Sequence, residues 1–200
     1  MGLPKTLLAL AGADLTPSSL SSSILVIVDA QQEYVDGALI LTGVDEALME
    51  IAKLIERARK NGTPIIHIAH KGQKGGVFDR EEGGKGAFAA LAAPKDDEVI
   101  IEKSLPNGFS GTNLSEEIEG IGRKELIICG FMTHMCVNST ARAALDHGYR
   151  TTIVSKACAT RDLPNLEGGI IGAAQLHDAS LIGLTDRYSI VVSSSDEISI

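Results

Sequence analysis

The chain has 200 residues, of which 44% are hydrophobic, and a formal net charge of −8. This length suffices for one domain with a buried core and hardly for two. The negative charge argues against general nucleic-acid binding, which needs clustered Lys and Arg, and no apolar run of about 18 residues predicts a membrane span. Three cysteines without a dense framework indicate free thiols in a reducing compartment, the cytoplasm.

The N-terminal residues 1–23 show no clear periodicity of apolar residues and are interpreted as an arm. Residues 24–200 are interpreted as the folded domain. Residues 24–28 are an uninterrupted run of β-branched residues and Leu, which is typical of a strand buried on both faces. Residues 44–60 place their apolar side chains on one face of a predicted helix. Further strands are predicted at 64–68, 99–101, 126–129, 152–154 and 179–184, and further helices at 133–147 and 169–177. The Gly- and Lys-rich stretch 71–86 is predicted to be a long mobile loop over a site.

Strands that alternate with helices predict a parallel sheet of about six strands with helices on both faces. In such sheets the functional site lies beyond the carboxyl ends of the strands. Three chemically active residues occupy such positions here: Asp29 after the first strand, Lys103 after the third, and Cys136 just after the fourth. The sequence therefore predicts that these three side chains converge.

The chemistry of the three residues fits nucleophilic catalysis. Cys136 falls in the first turn of a helix, where the helix dipole and a Lys103 cation are expected to lower its pKa. Burial would raise the pKa of Asp29 and Lys103 would lower it, so that Asp29 can take the thiol proton and return it to a leaving amine. Taken singly, Asp29 also fits a turn residue, Lys103 a solvated charge, and Cys136 a residue of the packed core. The spacing alone leaves the catalytic and the structural interpretation open.

Three sequence motifs carry a resemblance to a known family. The stretch 129–144, which contains Cys136, resembles the nucleophile motif of the isochorismatase-like cysteine hydrolases. The segment Asp29-Ala30-Gln31 with Tyr34, and the segment 103–114 that begins at Lys103, are similar to two further motifs of that family, in the family's order.

The resemblance implies a fold, a triad and an oxyanion hole. The fold would be a three-layer α/β/α sandwich with a mainly parallel, Rossmann-like sheet, and family members usually form homodimers or homotetramers. The triad would be Asp29, Lys103 and Cys136. A non-proline cis peptide between Phe131 and Met132 would turn the N–H of Met132 inward beside that of Cys136, giving two donors for a developing oxyanion.

Departures from the family pattern narrow the expected activity. The nicotinamidase branch carries an Asp-x-His metal motif, which is missing around His67 and His70, so neither a metal nor another cofactor is expected. The presence of Cys136 favours amide, carbamoyl or ureido substrates over vinyl ethers. The expectation is a metal-independent hydrolase that cleaves a C–N bond of a small molecule through a thioester on Cys136, without nucleic-acid or membrane partners.

Several assignments remain alternatives at this point. Residues near the motifs are predicted to line the substrate pocket, although each also fits packing or capping: Gln31, Tyr34, Phe109 and Thr133. Cys129 and Cys158 are interpreted as structural, and His70 as a residue that could point into the site. The competing functions are a vinyl-ether hydrolase in which Cys136 is incidental, a redox-sensing thiol protein, and a nucleotide-binding module, which the acidic, glycine-free turn after the first strand disfavours.

Overall fold

The computed structural model describes residues 2–81, 83–95 and 97–200. Its strands are β1 (Ser23–Val28), β2 (Ile65–His70), β3 (Val99–Lys103), β4 (Glu125–Phe131), β5 (Arg150–Ala159), β6 (Leu163–Pro164), β7 (Ile170–Ile171) and β8 (Ser189–Val192). Its helices are α1 (Leu7–Leu10), α2 (Glu33–Asp36), α3 (Val44–Asn61), α4 (Leu114–Ile121), α5 (Asn138–Asp146) and α6 (Ala173–Thr185), with a π-helical turn at Thr133–Val137 and 3-10 turns at Ala90–Ala92 and Ser195–Glu197.

The main sheet has six strands in the order β3-β2-β1-β4-β5-β8, and all of its neighbouring pairs are parallel. Strands β6 and β7 form a separate antiparallel ribbon. The predicted parallel sheet of about six strands is therefore confirmed, while the ribbon has no counterpart in the prediction.

Side chains on β1 alternate between two apolar layers, because successive residues of a strand point to opposite faces of the sheet. Leu25 and Ile27 pack with α3 on one face. Ile24, Val26 and Val28 pack with α4, α5 and α6 on the other face. Every residue of β1 is buried, which explains its uninterrupted apolar run and confirms the three-layer α/β/α architecture.

The predicted strand at 179–184 is wrong, because these residues belong to α6. Ser180 is the one polar residue in this segment. Leu181 and Leu184 are buried while Ile182 is 67% exposed, so the segment shows no clear helical period. The sixth strand of the sheet is β8, which pairs with β5 from Thr151 to Val154. Strand β5 itself runs well beyond the predicted 152–154.

The N-terminal arm packs against the end of α6. The backbone N–H of Leu7 donates to Oδ1 of Asp186 over 2.8 Å, and that of Leu8 donates to the Asp186 carbonyl over 3.0 Å. No helix within the described residues is both long enough and apolar enough to cross a bilayer.

The direction of strand order reverses between β1 and β4, which makes their carboxyl ends the topological switch point of the sheet. Gly130 near the end of β4 has a φ of 117°, and a Cβ added there would lie 2.0 Å from the carbonyl oxygen of Val28 on β1. Only glycine allows the two strands to approach this closely at the edge that holds Asp29 and Cys136.

We predict that Gly130→Ala destabilises the chain by about 3 kcal/mol or more, since it combines a steric overlap with a strained φ. The matched control is Gly120→Ala in α4, where nothing lies within 4 Å of the added Cβ. That change should stabilise the protein by up to about 1 kcal/mol through helix propensity. Urea unfolding measures both free energies, and equal effects of the two substitutions would contradict this account of the sheet.

Candidate active site

Asp29 directly follows β1 in a backbone conformation that side chains rarely adopt. Its φ is 48°, in the left-handed region, and its side chain is fully buried. The conformation is held by two hydrogen bonds of 2.8 Å: the Asp29 N–H donates to the Ile68 carbonyl, and the Asp29 carbonyl accepts from the Gln31 N–H. A strained residue that its surroundings hold in place is typical of functional sites.

Lys103 ends β3 and reaches across β2 to this carboxylate. Its Nζ lies 2.6 Å from Oδ2 of Asp29, and both side chains have no exposed surface. The Nζ also lies 3.4 Å from Nδ1 of His70, which is the residue of β2 that pairs with Lys103 in the strand register. The structure therefore joins two of the predicted triad residues in a buried ion pair and adds His70 to them.

Cys136 lies in the π-helical turn that follows β4 and is 3% exposed. The turn is closed by the Met132 carbonyl, which accepts hydrogen bonds from the N–H groups of Met135 and Val137. The peptide bond between Phe131 and Met132 is cis. Strands β1 and β4 are adjacent, which brings Cys136 to the same edge of the sheet as the Asp29–Lys103 pair, and both of these residues act on the pKa of its thiol.

Burial raises the pKa of the Asp29 carboxyl, against the opposing effects of Lys103, Cys136 and His70. Burial and the charge of Asp29 raise the pKa of the Cys136 thiol to about 12, although Lys103 acts to lower it. The expectation of a lowered thiol pKa is therefore wrong. It took account of the cation and the helix dipole and left out the loss of solvent and the neighbouring carboxylate.

Two of the predicted pocket residues lie behind and beside the trio. Gln31 is fully buried, and its amide bonds to backbone: Nε2 donates to the carbonyls of His70 (2.8 Å) and Gly86 (2.7 Å), while Oε1 accepts from the His70 N–H (2.8 Å). Tyr34 packs edge-on against Phe131 and is 2% exposed. Burial and the negative charges of Asp29 and Cys136 raise the pKa of the Tyr34 phenol, which places the ring beside the trio.

The other two predicted pocket residues, Thr133 and Phe109, lie in different surroundings. Thr133 is fully buried, and its hydroxyl lies 2.9 Å from Nδ1 of His177, whose Nε2 is 3.0 Å from the Ser155 hydroxyl. Phe109 stacks on His147, with 4.5 Å between ring centroids. Since His147 caps the carboxyl end of α5 and Cys136 precedes its amino end, the structure separates Phe109 from the trio.

The loop 71–86, described except for Glu82, folds over this edge of the sheet. Phe78 is buried and packs against His70 and Tyr34, with ring centroids 5.0 and 5.1 Å away. The cations of the loop are already paired with carboxylates: Lys71 and Arg80 with Glu102, Lys74 with Glu81, and Lys85 with Asp36.

Arg161 is a candidate residue that the sequence analysis missed. It follows β5, whose Ala159 pairs with Phe131 of β4, so it lies at the same edge as Cys136. Its Nε is buried without a hydrogen-bond partner among the described residues. Arg161 also lines a cleft of about 330 Å³, together with Ala38, Leu39, Ile40, Thr42 and Asp162. Its charge acts on the pKa of both Tyr34 and His134. Because the predicted strand ended at 154, no sequence pattern placed Arg161 at this edge.

Both other cysteines are buried and free. Cys129 has no exposed surface and lies among apolar side chains, as expected of a core residue. Burial raises the pKa of the Cys158 thiol to about 12. Within the described ranges, no three His, Cys, Asp or Glu side chains are grouped in a way that could hold a metal ion.

Comparisons with known proteins identify the family and the fold of this chain. The isochorismatase domain model matches residues 23–196. A crystal structure of an isochorismatase from Pseudomonas putida KT2440 is 44% identical and superposes with a TM-score of 0.93, over 97% of this chain and 99% of that one.

Two curated relatives are similar over most of their length. The secreted isochorismatase effector Isc1 of Verticillium dahliae is 31% identical, over 94% of this chain and 96% of its own. A maleamate amidohydrolase of Pseudomonas putida is 28% identical, over 86% of this chain and 83% of its own. Since the domain model and the relatives cover nearly the whole chain, this protein belongs to the isochorismatase family.

Proposed function

We propose that this protein is a cysteine amidohydrolase that cleaves a C–N bond of a small amide, carbamoyl or ureido compound, with Cys136 as nucleophile. The observation that carries the proposal is the buried cluster of Asp29, Lys103 and Cys136 at the switch point of the sheet. A thiol beside a carboxylate that can accept its proton is the arrangement that nucleophilic catalysis needs. The maleamate amidohydrolase relative, whose name states a C–N hydrolase, supports the same reaction class.

The first half of the reaction forms a thioester. Asp29 accepts the thiol proton while the Cys136 sulfur attacks the carbonyl carbon, and the C=O electron pair moves onto oxygen. The N–H groups of Met132 and Cys136 are proposed to donate to this oxyanion; in the described part of the chain the Met132 N–H has no other acceptor. The electron pair on oxygen then re-forms the C=O bond as the C–N bond breaks. The C–N electron pair stays on nitrogen, which takes the proton from Asp29 and leaves as ammonia or an amine.

The second half returns the enzyme to its starting state. Asp29 removes a proton from water, the water oxygen attacks the thioester carbon, and the C–S bond breaks with its electron pair on sulfur. The proton on Asp29 returns to Cys136, and the acid product is released. Lys103 offsets negative charge that alternates between Asp29 and the sulfur, from a position 2.6 Å from the carboxylate.

The raised pKa values support proton transfer during attack rather than a resting thiolate. A carboxylate with a raised pKa is a better proton acceptor than a free one, and Asp29 has this property. A thiol with a pKa of about 12 keeps its proton at neutral pH until a carbonyl carbon is in place. The pair is therefore suited to move one proton back and forth at each bond-making step.

Arg161 supports a substrate that carries a carboxylate as well as the scissile bond. In the described chain no carboxylate forms an ion pair with it, and Oδ1 of the adjacent Asp162 accepts from the Ala173 N–H instead. The guanidinium fork matches a carboxylate, and a cleft of about 330 Å³ suits a small molecule. Maleamate, after which one relative is named, has both groups.

Vinyl-ether hydrolysis of the isochorismatase type is the second candidate, since two of the similar proteins carry that name. In that reaction Asp29 would donate a proton, for which its raised pKa is suitable, and Cys136 would be incidental. A homodimer or homotetramer in the cytoplasm remains part of the proposal. Free cysteines favour that compartment, whereas one relative is named as secreted.

We predict that the protein releases ammonia from members of a panel of small primary amides, carbamoyl and ureido compounds, without added metal. Cys136→Ala should abolish the release, because the thioester cannot form. Ammonia detection with both proteins measures this directly. Release that survives in the variant would remove Cys136 from the reaction, and pyruvate release from a vinyl ether by both proteins would favour the second candidate.

We predict that Arg161→Met raises the KM for a carboxylate-bearing amide by about 10-fold or more, since a charge-assisted bidentate contact is lost. For the methyl ester of the same amide, native protein and variant should have equal KM values. Steady-state kinetics on this matched pair measure the effect. An equal change for both substrates would show that Arg161 acts on the structure rather than on the carboxylate.

We predict that Cys136 stays protonated up to about pH 10, because its pKa is raised to about 12. The thiolate absorbance at about 240 nm is measured for the native protein, and that of the Cys136→Ser variant is subtracted. The difference reports Cys136 alone, since Cys129 and Cys158 are present in both proteins. The difference should stay flat through neutral pH. A thiolate signal that rises below pH 8 would contradict the proton transfer described above.

A further inference from the structure

The ammonium group of Lys103 has three N–H donors and no acceptor, so its orientation depends on finding three acceptors in a buried place. Oδ2 of Asp29 is one acceptor, at 2.6 Å. Nδ1 of His70 is a second, at 3.4 Å. The Cys136 sulfur is the third group that Lys103 acts on. Without His70, one N–H of a fully buried cation would lack a partner.

His70 is held in place from two directions. Its backbone N–H and carbonyl both bond to the Gln31 side chain over 2.8 Å. Its ring packs against Phe78 of the loop, with 5.0 Å between centroids. The parallel register sets His70 directly beside Lys103. The ring is thus fixed between the catalytic edge and the loop that covers it.

The charge state of His70 decides whether Nδ1 can accept. Burial and the Lys103 cation lower its pKa, and Asp29 acts in the opposite direction. These two residues, on β3 and after β1, are the charged groups that act on the ring, while the loop presents Phe78. A neutral imidazole whose Nδ1 accepts carries its proton on Nε2, so the Lys103 contact also fixes the tautomer.

We propose that His70 is a positioning residue for the hydrolytic reaction, whose neutral imidazole accepts a hydrogen bond from Lys103 and holds the ammonium between Asp29 and Cys136. The role rests on the proposed function of the site and adds a fourth member to it. The consequence for pH is direct. When the pH falls below the lowered pKa of His70, Nδ1 gains a proton, the acceptor is lost, and a second cation faces Lys103.

The first test needs no substrate. Long-range proton–nitrogen NMR of uniformly ¹⁵N-labelled protein, with His70 assigned by comparison with His70→Asn, reports the tautomer and the pKa of the ring. We expect an unprotonated Nδ1 and a protonated Nε2 at pH 7, and a pKa below about 6.5. A ring protonated on Nδ1 at pH 7, or doubly protonated there, would overturn the proposal, whether or not any amide is turned over.

The second test compares two variants that both lack the His70 imidazole, and hence its packing against Phe78. His70→Asn can place its amide oxygen near the position of Nδ1 and does not titrate, whereas His70→Leu has no acceptor. We expect kcat of the Leu variant to fall by about 10- to 100-fold with KM nearly unchanged, as for other residues that orient a catalytic group. The Asn variant should keep kcat within about 3-fold and remain active at lower pH than the native protein.

Equal losses in the two variants would show that the ring acts by packing alone and would overturn the proposal. Failure of the proposed function gives a different result, because no C–N bond would be cleaved by the native protein either. In that case the NMR tautomer still decides whether His70 accepts from Lys103.

Discussion

The buried ion pair between Asp29 and Lys103 is the interaction on which the rest of the site depends. Both side chains lack exposed surface, and their charged atoms lie 2.6 Å apart. Removing two charges from water costs several kcal/mol per ion, and an apolar pair of similar size is often as stable. Loss of one partner leaves an uncompensated charge and costs about 3–5 kcal/mol. Such a pair adds little net stability to the fold. The role proposed for it is in the proton transfer of the reaction.

The order of the strands produces this pair. Asp29 follows β1 and Lys103 ends β3, with β2 between them, so the lysine side chain must pass His70 to reach the carboxylate. On the other side of β1, the close approach of β4 at Gly130 brings the turn with Cys136 to the same edge. Four side chains from four neighbouring strands thus meet where the strand order reverses, although they are distant in sequence.

Burial gives the cluster its proton chemistry. The same loss of solvent raises the pKa of the Asp29 carboxyl and of the Cys136 thiol, so neither group is in its usual range. The proposed reaction moves one proton between these two coupled groups as a substrate carbonyl is attacked. Arg161 lies outside this cluster, after β5, and has no ion-pair partner among the described residues. Its proposed role is to select substrates by charge without taking part in the proton transfer.

Much of the fold and the trio was predictable from sequence, because both follow from local patterns. The all-buried β1 has an uninterrupted apolar run, and residues after parallel strands must share one edge. The strand predicted at 179–184 was wrong because this segment of α6 has a single polar residue, Ser180, and therefore no clear helical period. The pKa of Cys136 was misjudged because desolvation depends on how deeply the fold buries a residue, and Cys136 is 3% exposed here. Arg161 was missed because the length of β5 is set by pairing with β4, which no local pattern records.

The proposed reaction requires that Cys136 becomes covalently bonded to the substrate's acyl group. The most direct measurement is the intact mass of the protein after rapid acid quench during turnover of a hydrolysed amide, followed by mapping of the modified peptide. We expect an added mass equal to the acyl group, located on Cys136 and absent when Cys136→Ala is treated in the same way. Rapid turnover with no adduct at any quench time, together with full activity of the Cys136→Ala variant, would contradict it.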